Sequence, residues 1–143
     1  MNTPSQSSPG VLSQPLTLPN GAVIKNRLFK SAMSETLGTS GGAATPELAR
    51  LYQAWADGGI GLCVTGNVMI DRGARGEPGN VVIEDPQHLA ALKAWARAAT
   101  RNGTQCWVQL NHPGRQAPRG LNRETVAPSA VPTNENENSW KSL

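Results

Sequence analysis

The sequence contains little cysteine, few aromatic residues and no long apolar run. Only two cysteines, Cys63 and Cys106, occur among 143 residues. They form neither a Cys-x-x-Cys pair nor a zinc-binding pattern, so we expect no metal site and two reduced thiols that pack as small hydrophobic side chains. No stretch approaches the roughly 18 consecutive apolar residues that span a bilayer, so we expect no membrane association.

Concentrated positive charge is also lacking. The net charge is only +3, and the basic residues neither collect on one predicted helix face nor alternate with aromatic side chains. A nucleic-acid surface needs such a pattern, so we expect no nucleic-acid partner. The N-terminal ten residues lack the basic and apolar regions of a secretory signal, which makes the cytoplasm the expected location. No Gly-x-Gly-x-x-Gly or P-loop motif follows a predicted strand, which disfavours a Rossmann or P-loop domain.

The apolar pattern predicts alternating strands and helices. Short alternating segments flank Pro19-Asn20-Gly21, which is typical of a hairpin turn. Thr45 and Asp85 are each followed by proline, as expected for an N-cap and the first helical residue. The predicted order is a hairpin over 16–24, a strand over 27–33, a helix from Thr45 to Gly58-Gly59, a strand over 60–65, a helix from Asp85 to Asn102-Gly103, and a strand over 105–110.

The two predicted helices each present one apolar face. Alternation with strands of this length implies an α/β fold with parallel pairing and right-handed crossovers. An open doubly wound sheet and a segment of a (β/α)8 barrel both fit this order, and spacing alone does not choose between them. The predicted buried faces comprise Leu48, Leu51, Tyr52 and Trp55 in the first helix, and Leu89, Leu92, Ala96 and Ala99 in the second.

The composition divides the chain into three parts. Residues 1–14 are rich in serine, proline and glutamine and predict a flexible tail. Residues 15–132 carry the predicted strands and helices. Residues 133–143 alternate asparagine with glutamate and lack apolar periodicity, which is atypical for the end of a compact domain.

Ligands of parallel α/β folds gather at the carboxyl ends of the strands. The polar residues there are mainly hydroxyls and carboxamides. A carboxamide such as Gln109 offers both a donor and an acceptor, which suits the pyrimidine edge of an isoalloxazine ring. The candidate binding residues at these ends are Ala32, Met33, Ser34, Asn67 and Gln109.

Other polar residues near these ends receive structural interpretations. We interpret His112 as a residue that shapes its loop, with general acid chemistry as the alternative. Glu35 and Asp71 are interpreted as solvated loop charges. If the strand predicted at 60–65 continues with regular alternation to residue 67, Asn67 shares a face with Cys63. If Asn67 and Gln109 both line the site, the two cysteines point to opposite sides of the sheet and a disulfide between them is not expected.

Three ordered segments resemble one known family. Residues 26–34 (NRLFKSAMS), 61–69 (GLCVTGNVM) and 109–115 (QLNHPGR) are similar to the Old Yellow Enzyme or NADH:flavin oxidoreductase family. The hairpin at 19–21 fits the lid that closes the bottom of its barrel. The resemblance covers residues 15–132 and implies the N-terminal part of a (β/α)8 TIM barrel that holds FMN without a covalent bond.

The resemblance also implies roles for individual residues and a reaction. Ala32, Met33 and Ser34 would border the flavin N5 and dimethylbenzene side, and Gln109 would bond its pyrimidine edge. Asn67 stands where relatives often carry a small residue whose backbone meets the flavin. Ser34 stands where relatives carry threonine or cysteine. NADH or NADPH would reduce FMN, which would then deliver hydride to an activated alkene such as an enone.

The chain departs from the family pattern in what it lacks. The pair that binds the substrate carbonyl, the proton-donating tyrosine and the residues that bind the FMN phosphate lie further along in relatives, so we assign no catalytic residue. The first hypothesis is therefore an incomplete, inactive fragment of an ene-reductase. The second is a non-enzymatic half-barrel that associates with itself or a partner through its exposed edge. An open α/β nucleotide-binding domain ranks third.

Overall fold

A computed structural model describes residues 10–123 and 125–129. The predicted C-terminal tail, 133–143, lies outside these described residues. Of the predicted flexible tail, residues 10–14 are described, and Val11–Ser13 forms a short 3-10 helix. The Arg27 N–H donates to the Leu12 carbonyl at 2.9 Å, so this end of the tail is attached to the folded part.

The predicted hairpin is confirmed. Strand β1 (Leu16–Thr17) pairs antiparallel with strand β2 (Val23–Ile24). The turn places Gly21 at φ 83°, a left-handed conformation that glycine adopts without steric cost. The Gly21 N–H donates to the Leu18 carbonyl at 2.9 Å and closes the turn.

Among the described residues, the main sheet has four parallel-paired strands: β3 (Phe29–Lys30), β4 (Leu62–Met69), β5 (Val81–Val82) and β6 (Gln105–Asn111). Strand β4 pairs in parallel with β3 near its start, with β5 near its end, and with β6 along most of its length. The predicted strand at 27–33 is shorter than expected, and the one predicted at 60–65 extends further.

Helix α1 (Pro46–Asp57) begins and ends where the sequence predicts. The Thr45 hydroxyl accepts from the Leu48 N–H at 3.2 Å, which satisfies one of the free amides of the first turn. Gly58 is the C-cap, and Gly59 follows at φ 89°. The helix buries Leu48, Tyr52 and Ala56 against the sheet and its neighbour.

Helix α2 (Leu89–Ala99) follows a 3-10 turn at Pro86–His88, which Asp85 caps. Its predicted buried face is only partly correct. Ala99 is buried, but Leu89 is 46% exposed and Ala96 is exposed as well. Trp95 is buried, as expected from its core spacing on the helix, and packs against Tyr52 of α1.

The core lies between the two helices and one face of the sheet. The Tyr52 ring packs edge-on against Trp55 and Trp95, at centroid distances of 4.9 and 5.2 Å. The opposite face and the β6 edge carry exposed apolar side chains, including Phe29 and Leu110. No helix among the described residues is long and apolar enough to cross a membrane. The core cluster comprises Ala44, Leu48, Tyr52, Cys63, Val68, Val81, Trp95 and Ala99.

The two cysteines lie side by side, so the prediction that they point to opposite sides is wrong. Cys63 and Cys106 are register partners on neighbouring parallel strands and both contact the helix-facing core. Both thiols are free. Burial raises the pKa of both, that of Cys106 to about 11. The prediction fails because β4 is not regular: its register with β6 shifts between Val64 and Asn67.

Candidate functional site

The parallel order β3–β4–β6 brings the predicted binding residues to one edge of the sheet. Residues 32–34 follow β3, while Asn67 and Gln109 lie in the second halves of β4 and β6. Because the strands run in the same direction, these positions lie at the carboxyl edge, where parallel α/β folds bind their ligands.

A β-bulge sets which side chains face the site. Val64 pairs with Trp107 and Asn67 pairs with Gln109, so Thr65 and Gly66 together oppose a single residue of β6. Such a bulge re-aims the following side chains. Here it moves Asn67 off the face of Cys63 and onto the face of Gln109.

The Thr65 hydroxyl fills the bulge. It accepts from the Gln109 backbone N–H at 2.9 Å and donates to the Gly66 carbonyl at 2.8 Å. Thr65 is almost wholly buried, so its hydroxyl bonds to both backbone groups away from water. The hydroxyl therefore stabilises the irregular register.

Carboxamides line the face beyond the bulge. The Asn67 side-chain oxygen accepts from the Asn111 side-chain amide at 2.6 Å. The half-buried Gln109 carboxamide has no hydrogen-bond partner among the described residues, so its donor and acceptor are both available to a ligand. The structure thus brings together the amides that the sequence singled out.

The segment after β3 lies against the bulge. Ala32 is exposed and Met33 is 54% exposed. The Met33 carbonyl packs so closely on Gly66 that a methyl group there would collide with it. Ser34 is half-buried, and its hydroxyl donates to the Glu77 carboxylate, which holds it toward the loop after β4.

The sequence-based interpretation of Glu35 as a solvated loop charge is wrong, because its side chain is largely buried. Its side chain is only 8% exposed. One carboxylate oxygen accepts from the Tyr52 hydroxyl at 2.5 Å, from the Gly66 N–H at 3.2 Å and from the Lys30 ammonium at 3.3 Å. Burial and this carboxylate both raise the pKa of Tyr52 well above its ordinary value.

Lys30 completes this cluster. Its ammonium also donates to the Val64 carbonyl at 3.2 Å and lies 4.3 Å from the centre of the Trp55 ring. A lysine at the centre of a predicted strand is the sequence signal that points to a buried partner, because lysine is almost never buried unpaired. That signal is present in the predicted strand at 27–33, five residues before Glu35.

The loop after β6 is shaped by His112, in line with its interpretation. The Gly114 N–H donates to His112 Nδ1 at 3.0 Å, and Nε2 lies 3.6 Å from an Asp71 carboxylate oxygen. These contacts join the loops that follow β4 and β6. Arg115 is exposed within a 3-10 turn at Gly114–Gln116.

A second contact between these loops was not predicted. Asn122 is buried, and its side chain accepts from the Arg75 N–H at 2.6 Å and donates to the Arg75 carbonyl at 2.8 Å. The amide thus pairs with a backbone unit as a neighbouring strand would. Within residues 10–123 and 125–129, no group of three or more His, Cys, Asp or Glu residues forms a metal site.

The sequence profile of the NADH:flavin oxidoreductase / NADH oxidase family matches residues 11–142. The NADH-dependent flavin oxidoreductase iliE of Hypocrea jecorina is 36% identical over 128 residues, which cover 83% of this chain and 32% of that protein. The NADH:fumarate oxidoreductase of Klebsiella pneumoniae is 37% identical over 120 residues, which cover 82% of this chain and 13% of that protein.

Among solved structures, the Old Yellow Enzyme homologue of Zymomonas mobilis superimposes with a TM-score of 0.78 at 22% identity, over 92% of this chain and 39% of that one. The fold is therefore the N-terminal part of a (β/α)8 barrel, as the sequence resemblance implied. The chain spans about a third of the length of the first curated relative.

Proposed function

Because the chain belongs to the NADH:flavin oxidoreductase / NADH oxidase family, we propose that it forms the part of an FMN-dependent oxidoreductase that binds the flavin ring. The binding residues in this proposal are Ala32, Met33, Ser34, Asn67 and Gln109. The observation that carries it is the bulge in β4, which places the Asn67 and Gln109 carboxamides next to each other at the carboxyl edge.

The chemistry of this edge fits a flavin. The free Gln109 carboxamide can donate to the ring carbonyls and accept from the ring imide at the pyrimidine edge. The exposed Met33 side chain and the Trp107 ring add apolar surface beside the amides. A flat, largely apolar ring with one hydrogen-bonding edge needs such a mixed surface.

The proposed reaction has two halves. FMN bound here would carry a hydride from NADH or NADPH to an activated alkene such as an enone. In this chain, Gln109 and Asn67 orient the ring through hydrogen bonds, and Ser34 lies at the position where relatives carry threonine or cysteine. We assign no proton donor, since Tyr52, the only tyrosine of the sequence, is buried and bound to Glu35.

Residues 1–143 on their own are proposed to be inactive in steady-state turnover. They span about a third of a relative's length. The carbonyl-binding pair and the phosphate-binding residues that the resemblance implies lie further along in relatives. We expect weak FMN binding without NADH- or NADPH-driven alkene reduction.

FMN titration of the full 143-residue chain tests this proposal. Flavin fluorescence and light scattering are followed together, and saturable quenching at micromolar FMN without scattering is expected. Gln109→Ala should weaken binding roughly tenfold, as expected for a lost hydrogen bond to a polar ring edge. Thr17→Ala, on the exposed hairpin, is the control. Quenching that appears only with aggregation, or that Gln109→Ala leaves unchanged, contradicts the proposal.

A further inference from the structure

A buried polar cluster lies directly behind the carboxamides of the site. It consists of Lys30, Glu35 and Tyr52, whose side chains meet at one carboxylate oxygen of Glu35. Tyr52 is 1% exposed, and the side chains of Lys30 and Glu35 are 14% and 8% exposed. Burial of two charges is costly unless they are paired and hydrogen-bonded. A specific structural role is therefore expected for this cluster.

The cluster is bonded to the bulge at two points. The Gly66 N–H lies within 3.2 Å of both the Glu35 carboxylate and the Tyr52 hydroxyl oxygen. The Lys30 ammonium donates to the Val64 carbonyl at 3.2 Å. The backbone on both sides of Thr65 is therefore fixed by side chains that come from other elements.

The bulge in turn fixes the site. Thr65 connects the Gly66 carbonyl to the Gln109 N–H through its hydroxyl, at 2.8 and 2.9 Å. A continuous chain of hydrogen bonds thus runs from Glu35 through Gly66 and Thr65 to Gln109. Without the bulge, the alternation of β4 would place Asn67 on the opposite face of the sheet.

We propose that the Lys30–Glu35–Tyr52 cluster is a positioning device that holds the β4 bulge and thereby orients the Asn67 and Gln109 carboxamides toward the flavin ring. The flavin step of this inference rests on the proposed function. None of the three residues belongs to the proposed flavin-binding set, and they bond instead to the backbone of Val64 and Gly66. Loss of the cluster should therefore change the hydrogen bonding of Gly66 and Gln109, in addition to lowering the free energy of unfolding.

Glu35→Ala and Tyr52→Phe test the cluster in the full chain. Tyr52→Phe keeps the ring that packs on Trp55 and Trp95, so it preserves the fold if Glu35→Ala does not. Thr104→Val is the matched control, since Thr104 is buried and its hydroxyl donates to the Ile60 carbonyl at 2.8 Å, at the opposite edge of the sheet. All three variants lose a buried hydrogen bond.

The first readout needs no flavin. Amide hydrogen exchange, followed by NMR, reports the protection of Gly66 and Gln109. We expect the cluster variants to lower protection at both amides about tenfold or more, because the opening of the bulge exposes both. Thr104→Val should lower neither selectively. Loss of protection at Gly66 alone, with Gln109 unchanged, overturns the inference because the two positions are then not coupled.

The second readout is the FMN dissociation constant together with the visible spectrum of the bound flavin. We expect Tyr52→Phe to weaken binding about five- to tenfold and to shift the spectrum, whereas Thr104→Val leaves both unchanged. Unchanged binding and spectrum in the cluster variants overturn the inference and leave the proposed function standing. Failure of the unsubstituted chain to bind FMN overturns the proposed function and the flavin step with it.

Discussion

At the scale of single residues, Tyr52 is the most informative side chain, because it is the only tyrosine of the sequence. Its hydroxyl donates to Glu35 at 2.5 Å, and its ring is buried. Burial, together with the adjacent carboxylate, raises the pKa of Tyr52 in the folded chain above the value of about 10 in the unfolded chain. Phenolate absorbance in the ultraviolet therefore reports on one group.

The first prediction concerns alkaline pH. A group whose pKa is raised by folding stabilises the fold fully below its unfolded value, and this contribution is lost as pH rises above it. We expect the contribution of Tyr52 to the free energy of unfolding to be lost above a pH of about 10, so that the free energy falls less steeply there in Tyr52→Phe. Absorbance titration and urea denaturation across this range measure both. If Tyr52 ionises in the folded chain with a midpoint at about pH 10, this result contradicts the buried hydrogen bond.

The second prediction concerns Gly66. A methyl group at this position would collide with the Glu35 carboxylate and the Met33 carbonyl, and the carbonyl belongs to the backbone and cannot move aside. We expect Gly66→Ala to lower the free energy of unfolding by about 1–3 kcal/mol, the usual cost of overpacking. Urea denaturation measures it.

The control for Gly66 is Gly120→Ala. A methyl group at Gly120 meets nothing within 4 Å, and its backbone lies outside the left-handed region. Its effect should stay within about 0.5 kcal/mol. Equal effects at the two glycines would contradict the predicted collision of a Gly66 methyl group with Glu35 and Met33.

At the scale of secondary structure, local signals predicted the positions of the helices and strands well, but they predicted poorly which side chains face the core. Thr45 and Pro46 predicted the start of α1, and the turn at 19–21 predicted the hairpin, because capping and turn chemistry act within a few residues. The bulge in β4 was missed, since it depends on Glu35 and Thr65 bonds that no local pattern encodes. The side predicted for the cysteines was therefore wrong.

The site shows the same division. The carboxyl edge and the amides of Asn67 and Gln109 could be predicted, because strand direction fixes the edge and residue type fixes the chemistry. The buried state of Glu35 could not, since it follows from contacts with Tyr52 and Gly66, 17 and 31 positions away. Lys30 was the one local sign of a buried partner.

The third prediction concerns the start of α1. The Thr45 hydroxyl accepts from the Leu48 N–H at 3.2 Å and donates to the Leu37 carbonyl at 2.6 Å. We expect Thr45→Ala to lower the free energy of unfolding by about 1 kcal/mol, as is usual for a lost N-cap. Thr100→Ala, which removes an exposed hydroxyl at the end of α2, should cost less than about 0.5 kcal/mol. Urea denaturation separates the two, and a smaller loss in Thr45→Ala than in Thr100→Ala contradicts the cap.

At the scale of the whole molecule, the described helices cover one face of the sheet. The helices cover the face that carries Cys63 and Val68. On β6, which pairs with β4 alone among the described strands, Trp107, Val108 and Leu110 are all exposed, and Leu110 is 64% exposed. An edge strand with free backbone groups and apolar side chains is a template for pairing with another chain.

The fourth prediction follows from this edge. The purified chain should self-associate as its concentration rises, measured by sedimentation velocity. Leu110→Lys should shift the equilibrium toward monomer, because a lysine on the edge opposes strand pairing through charge repulsion and desolvation. Val11→Lys changes a residue of similar exposure, 66%, in the N-terminal 3-10 helix outside both sheets, and should leave association unchanged. A chain that stays monomeric at every concentration, or equal effects of the two lysines, would show that the β6 edge is not the associating surface.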